Sequence, residues 1–271
     1  MFLIEELKKS IKERRAILIV GAGISIAATG SQDASWKGLL RMGIERCLYV
    51  GSPRPKAGWE GVMLELLEIG DIEDWLLIAE QVQQRLNGGE LVNLLQDWNA
   101  GLQVKDVAII KALANLGLPI MTTNYDTVIE EVTNRKTVSL EEDQQEELMK
   151  AQDEPDKYVI HLHGCHTKPN NIVLGIRSYD KFLEDEFKRF FMNLLPAFRS
   201  AIFVGCGGGL GDPNFSALKE WIRRNRQGIS IRHYRLLARE EDTGLQPEAR
   251  IVPLVYGEKY ADLEMFLCGL V

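Results

Sequence analysis

The chain has no C-x-x-C pair. Its four cysteines, Cys47, Cys165, Cys206 and Cys268, lie scattered over 271 residues. That spacing excludes paired-thiol zinc modules and argues against a disulfide framework, so no zinc and a cytoplasmic location are expected. No apolar run approaches the length that crosses a bilayer. Residues 1–15 lack the apolar stretch of a signal peptide. Leu3, Ile4, Leu7 and Ile11 share one helical face there, with charge on the other. The G-K-S/T of a phosphate-binding P-loop is missing. Positive charge is short as well: 32 Lys and Arg stand against 39 Asp and Glu, a net charge of −7. Without a basic footprint, direct nucleic-acid binding is not expected as the main task.

What is present is a strand that runs straight into a glycine turn. Residues 16–20, Ala-Ile-Leu-Ile-Val, form a continuous apolar run, the mark of a strand buried on both faces of a parallel sheet. Gly21-Ala22-Gly23 follows at once. Glycine permits a tight turn and a close backbone approach to a ligand. Ile24 and Ser25 are read as the start of a helix whose N-terminal N–H groups attract phosphate. The turn by itself is a weak signal, because Ile26 stands where a dinucleotide fingerprint has its third glycine. A tight strand-to-helix turn without a ligand is the plain alternative.

The rest of the chain frames this unit. Residues of about 36–116 show helical spacing with no clear strand, which predicts a helical lobe inserted between the first and second strands. Strands are predicted over 118–123, 158–162, 201–204, 231–237 and 251–255, with 172–174 as a candidate small addition. The polar, acidic stretch 134–155 reads as a connection with a short helix over 141–150. Asp126 and Ser178 are read as helix N-caps, with Pro196 stopping the helix that Ser178 starts. Further helices are predicted over 214–224 and 260–270. The expected fold is α/β, a Rossmann-like, mostly parallel six-stranded sheet with an inserted helical lobe, all in one domain over residues 1–271.

Four of these strands end in unusual turns: Gly21-Ala22-Gly23, Asn124-Tyr125-Asp126, His163-Gly164 and Gly205-Cys206-Gly207. In an open parallel sheet all strand carboxyl ends share one edge, and ligands bind in the crevice there. Gly-Ala-Gly-Ile-Ser, then Thr-Thr-Asn-Tyr-Asp, then His-Gly, then a glycine turn, in this order from Gly21 to Gly211, resemble the motif set of the sirtuin fold. With Trp36, His161-Leu162-His163-Gly164 and Gly211-Asp212-Pro213-Asn214-Phe215, the chain is most similar to the bacterial sirtuin-like, NAD-degrading anti-phage defence proteins.

The resemblance implies NAD as substrate, cleaved at the nicotinamide–ribose bond to nicotinamide and ADP-ribose. It implies Asn124 beside the ribose, placing the attacking water, and His163 as general base. Asp126 would hold the nicotinamide carboxamide. Gly21, Ala22, Gly23 and Ile24 would face the pyrophosphate, with Gly205, Cys206 and Gly207 across the dinucleotide and Tyr260 near the adenine. Many relatives carry a fused sensor domain. Its lack of room here implies a separate regulatory partner, such as a HerA-type ATPase or a short Argonaute system, together with a homo-oligomer. Protein deacylation is an alternative that fits less well: the zinc module's cysteine pairs and a Phe-Arg pair near residues 30–37 are both missing. A non-catalytic NAD or ADP-ribose sensor is another.

Plain readings compete at several residues. Asn124 and Asp126 fit a simple turn and cap. His161, His163, Cys165 and His166 form a candidate metal cluster, though His161 is better read as a packed core histidine. Cys206 as a nucleophile lacks the preceding glycine of an elbow, since Val204 stands there. Arg223, Arg224, Arg226, Arg232 and Arg235 read as a solvated basic face or, more sharply, as a docking surface for an acidic partner or nucleic acid.

Overall fold

A computed structural model describes residues 2–188, 199–207, 231–241 and 251–271. Helix α1 (Phe2–Lys12) leads into β1 (Ala16–Val20), and α2 (Ala22–Thr29) leaves it at Gly21. Five helices follow before the next strand: α3 (Trp36–Val50), α4 (Trp59–Ile69), α5 (Ile72–Arg85), α6 (Gly89–Gly101) and α7 (Ala108–Asn115). Then come β2 (Ile120–Thr122), α8 (Val128–Thr133), β3 (Lys136–Ser139), α9 (Gln145–Asp153), β4 (Tyr158–His161) and α10 (Ile176–Glu184). The chain closes with β5 (Ser200–Val204), β6 (His233–Ala238), β7 (Ile251–Gly257) and α11 (Leu263–Cys268).

The strands form one seven-stranded sheet in the order β3-β4-β2-β1-β5-β6-β7. Every pairing is parallel. The expected α/β, Rossmann-like architecture stands, with one correction: there are seven strands, not six. The additional strand is β3, inside the stretch read as a polar connection. Lys-Thr-Val-Ser has one strongly apolar residue, and as an edge strand β3 buries only its last two residues. Ile172–Leu174 is not a strand. The three residues are buried, and the Val173 N–H bonds the His163 carbonyl at 2.9 Å without extending into a ladder.

The core divides across the sheet by the two-residue period of a strand. From β1, Ala16, Leu18 and Val20 enter one apolar cluster with α1, α2 and the helices after it. Ile17 and Ile19 enter the other, with Leu148 of α9 and Tyr179 and Phe182 of α10. Each fully buried Ile or Leu contributes about 1.5–3 kcal/mol, so β1 is anchored from both sides.

Caps fix where several helices start. Ser35 accepts the Gly38 N–H at 3.0 Å and starts α3. Asp71 forms a capping box with Asp74 at α5. Two expected caps shift. Helix α8 starts at Val128, two residues after Asp126, yet Asp126 Oδ1 still accepts the Val128 N–H at 3.1 Å. Helix α10 is capped by Gly175, and the Ser178 hydroxyl instead takes the Leu174 N–H at 2.8 Å and donates to the Gly175 carbonyl. The expectations for Pro196, for 214–224 and for the 211–215 motif lie outside the described residues. No helix among the described residues is long and apolar enough to cross a membrane.

Candidate functional site

Strand order reverses beside β1: β2 lies on one side and β5 on the other. Such a switch point leaves a crevice at the carboxyl edge, because the connections leave in opposite directions. A cleft of about 640 Å³ lies there, within the size range of small-molecule sites. Trp36, Trp75 and Trp98, from the helices between β1 and β2, form part of its wall. Trp36 and Trp75 meet edge to face with ring centres 6.2 Å apart, and Lys37 Nζ lies 4.6 Å from the Trp75 ring centre. Of the sequence-predicted residues, Gly21, Ala22, Gly23, Asn124, Asp126, His163, Gly205, Cys206, Gly207 and Tyr260 all line this one cleft. Ile24 does not. Its side chain is fully buried in the core under α2.

On one side of the reversal the two glycine turns lie backbone against backbone. The Gly21 N–H bonds the Val204 carbonyl at 3.0 Å, and the Gly23 N–H bonds the Gly205 carbonyl at 2.8 Å. A Cβ on Gly21 would stand 2.7 Å from Cys206 Cα, and one on Gly23 would stand 2.8 Å from the Gly205 oxygen. Gly205 itself has φ +66°, and a Cβ there would meet Ile24 N at 2.9 Å. These glycines are therefore required by the contact between the turns. Two N–H groups expected to face phosphate already have carbonyl partners.

On the other side the site is built from side chains. Asn124 Nδ2 donates to Ser25 Oγ at 3.0 Å, and Ser25 Oγ donates to Asp126 Oδ1 at 3.0 Å. The Thr122 hydroxyl donates to the Val20 carbonyl at 2.9 Å and accepts the Asn124 N–H at 3.0 Å. Asp126 Oδ2 is buried with no hydrogen-bond partner among the described residues. Burial pushes the Asp126 carboxyl up to about 6, against the pull of the Val128 N–H and the Ser25 hydroxyl. His163 is 2% exposed and held edge-on by Tyr179, with ring centres 5.5 Å apart, and by Phe182 at 6.1 Å. Gly164 turns the chain away at φ +80°.

The remaining candidates have definite places. Cys206 Sγ lies 3.6 Å from the Ile19 carbonyl at the cleft margin. The Tyr260 hydroxyl is buried without a partner among the described residues. Burial raises its pKa well above the ordinary range, so it remains a neutral donor. His161 is fully buried, with Nε2 2.6 Å from Glu130 Oε1, while His166 Nε2 lies 3.2 Å from the Thr127 hydroxyl. No group of three or more His, Cys, Asp or Glu among the described residues is placed to hold a metal ion. Of the basic stretch, Arg232 pairs with Glu6, and Arg235 donates to the Gly207 carbonyl beneath the glycine turn. Arg223, Arg224 and Arg226 lie outside the described residues.

Trp75 and Trp98 line the cleft and Ser25 ties Asn124 to Asp126, and the motifs assign none of the three a role in the site. Ser25 joins Asn124 and Asp126 across about a hundred residues of chain, so no local spacing announces it. The two tryptophans read as core periodicity, and that is what most of their surface serves.

A model of the SIR2-like domain matches residues 119–255. The match covers just over half of the chain and contains β2, β4, β5 and the Asn124, Asp126, His163 and Gly205 positions of the cleft. On that match the chain belongs to the family of SIR2-like domains, and its function is of the sirtuin type, related to NAD.

Proposed function

We propose that the chain hydrolyses NAD at the nicotinamide–ribose bond, giving nicotinamide and ADP-ribose. The observation that carries this reading is the buried Asn124–Ser25–Asp126 hydrogen-bond chain, whose Asn124 and Asp126 line the cleft, with one carboxylate oxygen lacking a partner among the described residues. A buried acceptor is costly unless something satisfies it. The amide of a nicotinamide carboxamide is a donor of the right kind. NAD brings a leaving group that is already cationic, so no strong acid is needed at the base.

The chain's residues then have separate tasks. Asp126 orients the carboxamide. Asn124 has both an amide donor and an acceptor, and with Nδ2 tied to Ser25 its Oδ1 is left to hold water beside the ribose. His163, in a wall of Tyr179 and Phe182 that limits water, takes up the proton. The tight meeting of the Gly21–Gly23 and Gly205–Gly207 turns leaves main chain, not side chains, against the dinucleotide. Tyr260 supplies one more donor from the far end.

The reading extends to regulation. Unrestrained NAD hydrolysis would exhaust the cell that makes the enzyme, so turnover is gated by assembly or by a separate partner in anti-phage defence. The helices over about 36–116 belong to the same single domain and wall the site. Light scattering of the protein alone and with its partner tests the assembly, and monomer in both would remove it.

Chromatography of NAD incubated with the purified protein tests the chemistry. Nicotinamide and ADP-ribose are expected from the wild type, with a loss of about 10²–10⁴-fold in both His163→Ala and Asn124→Ala. NAD that stays intact while an acetylated peptide is deacylated would replace the reading with the other sirtuin chemistry. Tight NAD binding without turnover in the complete assembly would replace it with a sensor.

A further inference from the structure

Behind the cleft lies a polar cluster that none of these tasks uses. His161 ends β4 and is fully buried. Its Nδ1 is 2.9 Å from the main-chain carbonyl of Asn124, and its Nε2 is 2.6 Å from Glu130 Oε1 on α8. A carbonyl only accepts, so Nδ1 carries a proton. Glu130 Oε1 is held from a second side by the Thr137 hydroxyl of β3, at 2.9 Å. Burial alone would pull the His161 pKa down. The Glu130 charge and hydrogen bond, with the Asn124 carbonyl, outweigh it, and the pKa is raised. Nδ1 thus donates to the Asn124 carbonyl, and Nε2 shares the short hydrogen bond with Glu130 Oε1.

Three elements, β3, β4 and α8, thus converge on one peptide oxygen. Asn124 is consequently fixed at three atoms: its N–H by Thr122, its Nδ2 by Ser25 and its carbonyl by His161. Neither His161 nor Glu130 lines the cleft. We propose that the His161–Glu130 pair is a positioning device for Asn124, which fixes the peptide plane at residue 124 and so aims its side-chain amide into the cleft. The inference rests on the reading of Asn124 as the residue that places water for NAD hydrolysis.

Three variants of the full chain test it. His161→Leu removes both bonds. His161→Asn keeps an amide donor where Nδ1 stands but cannot reach Glu130. Glu130→Gln keeps the shape and removes the charge. If the pair positions Asn124, His161→Leu lowers kcat by about 10²-fold, the scale of a small misplacement at a reacting centre. NAD affinity stays within a few-fold, and His161→Asn restores most of kcat although it is destabilised as much as His161→Leu. Equal kcat losses in those two variants would show a purely structural role and overturn the proposal.

A second readout needs no turnover. In nitrogen-15 spectra of the protein without NAD, the side-chain amide signals of Asn124 should shift in His161→Leu and Glu130→Gln and return toward wild type in His161→Asn. Unmoved signals would overturn the positioning role whatever the activity. Shifted signals in a protein that never cleaves NAD would instead uphold the positioning and end the hydrolysis reading.

Discussion

The carboxyl ends of β1 and β5 and those of β2 and β4 share one sheet edge but are built from opposite materials. The β1 and β5 ends meet as bare main chain, with Gly23 N–H on the Gly205 carbonyl and no room for a Cβ between them. The β2 and β4 ends bring Asn124, Asp126 and His163, all at most 7% exposed, with Asn124 and Asp126 linked through Ser25 to α2. One side is specified by shape and tolerates no added atom. The other is specified by charge and hydrogen bonding and tolerates a change of atom at constant shape. On the proposed function, binding needs the first, and chemistry is concentrated in the second. The two sides should therefore fail differently when altered.

The largest effect is expected on the glycine side. Gly23→Ala places a methyl 2.8 Å from the Gly205 oxygen and 2.9 Å from its Cα, and neither is the end of a flexible side chain. The turns must part, at a cost of roughly 3 kcal/mol. Thermal midpoint and NAD affinity should drop together, as followed by calorimetry on the same sample. A variant that keeps its midpoint but loses affinity would mean that the two turns give way easily, and would break the contrast.

Asp126→Asn should do the reverse, gaining stability while losing function. The folded protein binds the Asp126 proton more tightly than the unfolded chain does, since burial pushes the carboxyl up to about 6. Wild-type stability therefore falls as pH rises from about 4 to about 6 and stays reduced above. A shift of that size corresponds to at most about 3 kcal/mol at pH 7. The amide removes this penalty but leaves an N–H without a partner, at about 1 kcal/mol. The variant should be more stable than wild type by roughly 2 kcal/mol at pH 7, with the gap closing near pH 4. Denaturant titrations at the two pH values measure it. A constant gap would show that Asp126 titrates normally and that its unpaired oxygen is not a strained acceptor awaiting a ligand.

These differences also explain what the sequence discloses. The run of five apolar residues in β1 and the glycines after it are local signals, and they placed one wall of the site. The Asn-x-Asp and His-Gly pairs follow strand ends, so the parallel sheet gathers them at one edge once the strands are placed. Strand β3 stayed hidden because an edge strand of Lys-Thr-Val-Ser needs little apolar character. Ser25 and Glu130 stayed hidden for another reason. Their partners lie 101 and 31 residues away in the chain, and only the fold supplies those neighbours. The inward turn of Ile24, in a motif whose Gly21, Ala22 and Gly23 line the cleft, depends on helix phase, which begins at Ala22 and not at Ile24.

Arg235 offers the smallest and sharpest test, because it is a polar side chain that serves the glycine side. It is half-buried on β6 and donates to the Gly207 carbonyl, bracing the Gly205–Gly207 turn from a strand that carries none of the cleft's chemistry. Arg232, three residues earlier, pairs instead with Glu6 at the half-exposed surface. A hydrogen bond from a charged donor to a half-buried carbonyl is worth about 1.5 kcal/mol, whereas a surface ion pair is worth about 0.5 kcal/mol. Arg235→Met should cost about 1 kcal/mol and weaken NAD binding several-fold without lowering kcat, because the methionine keeps the apolar stem and loses only the brace. Arg232→Ala should change neither binding nor turnover. If both variants leave NAD binding alone, the glycine turn holds its shape through the main chain only, and the contrast between the two sides is complete. If Arg235→Met lowers kcat, the turn takes part in the chemistry, and the division of binding from reaction at this edge fails.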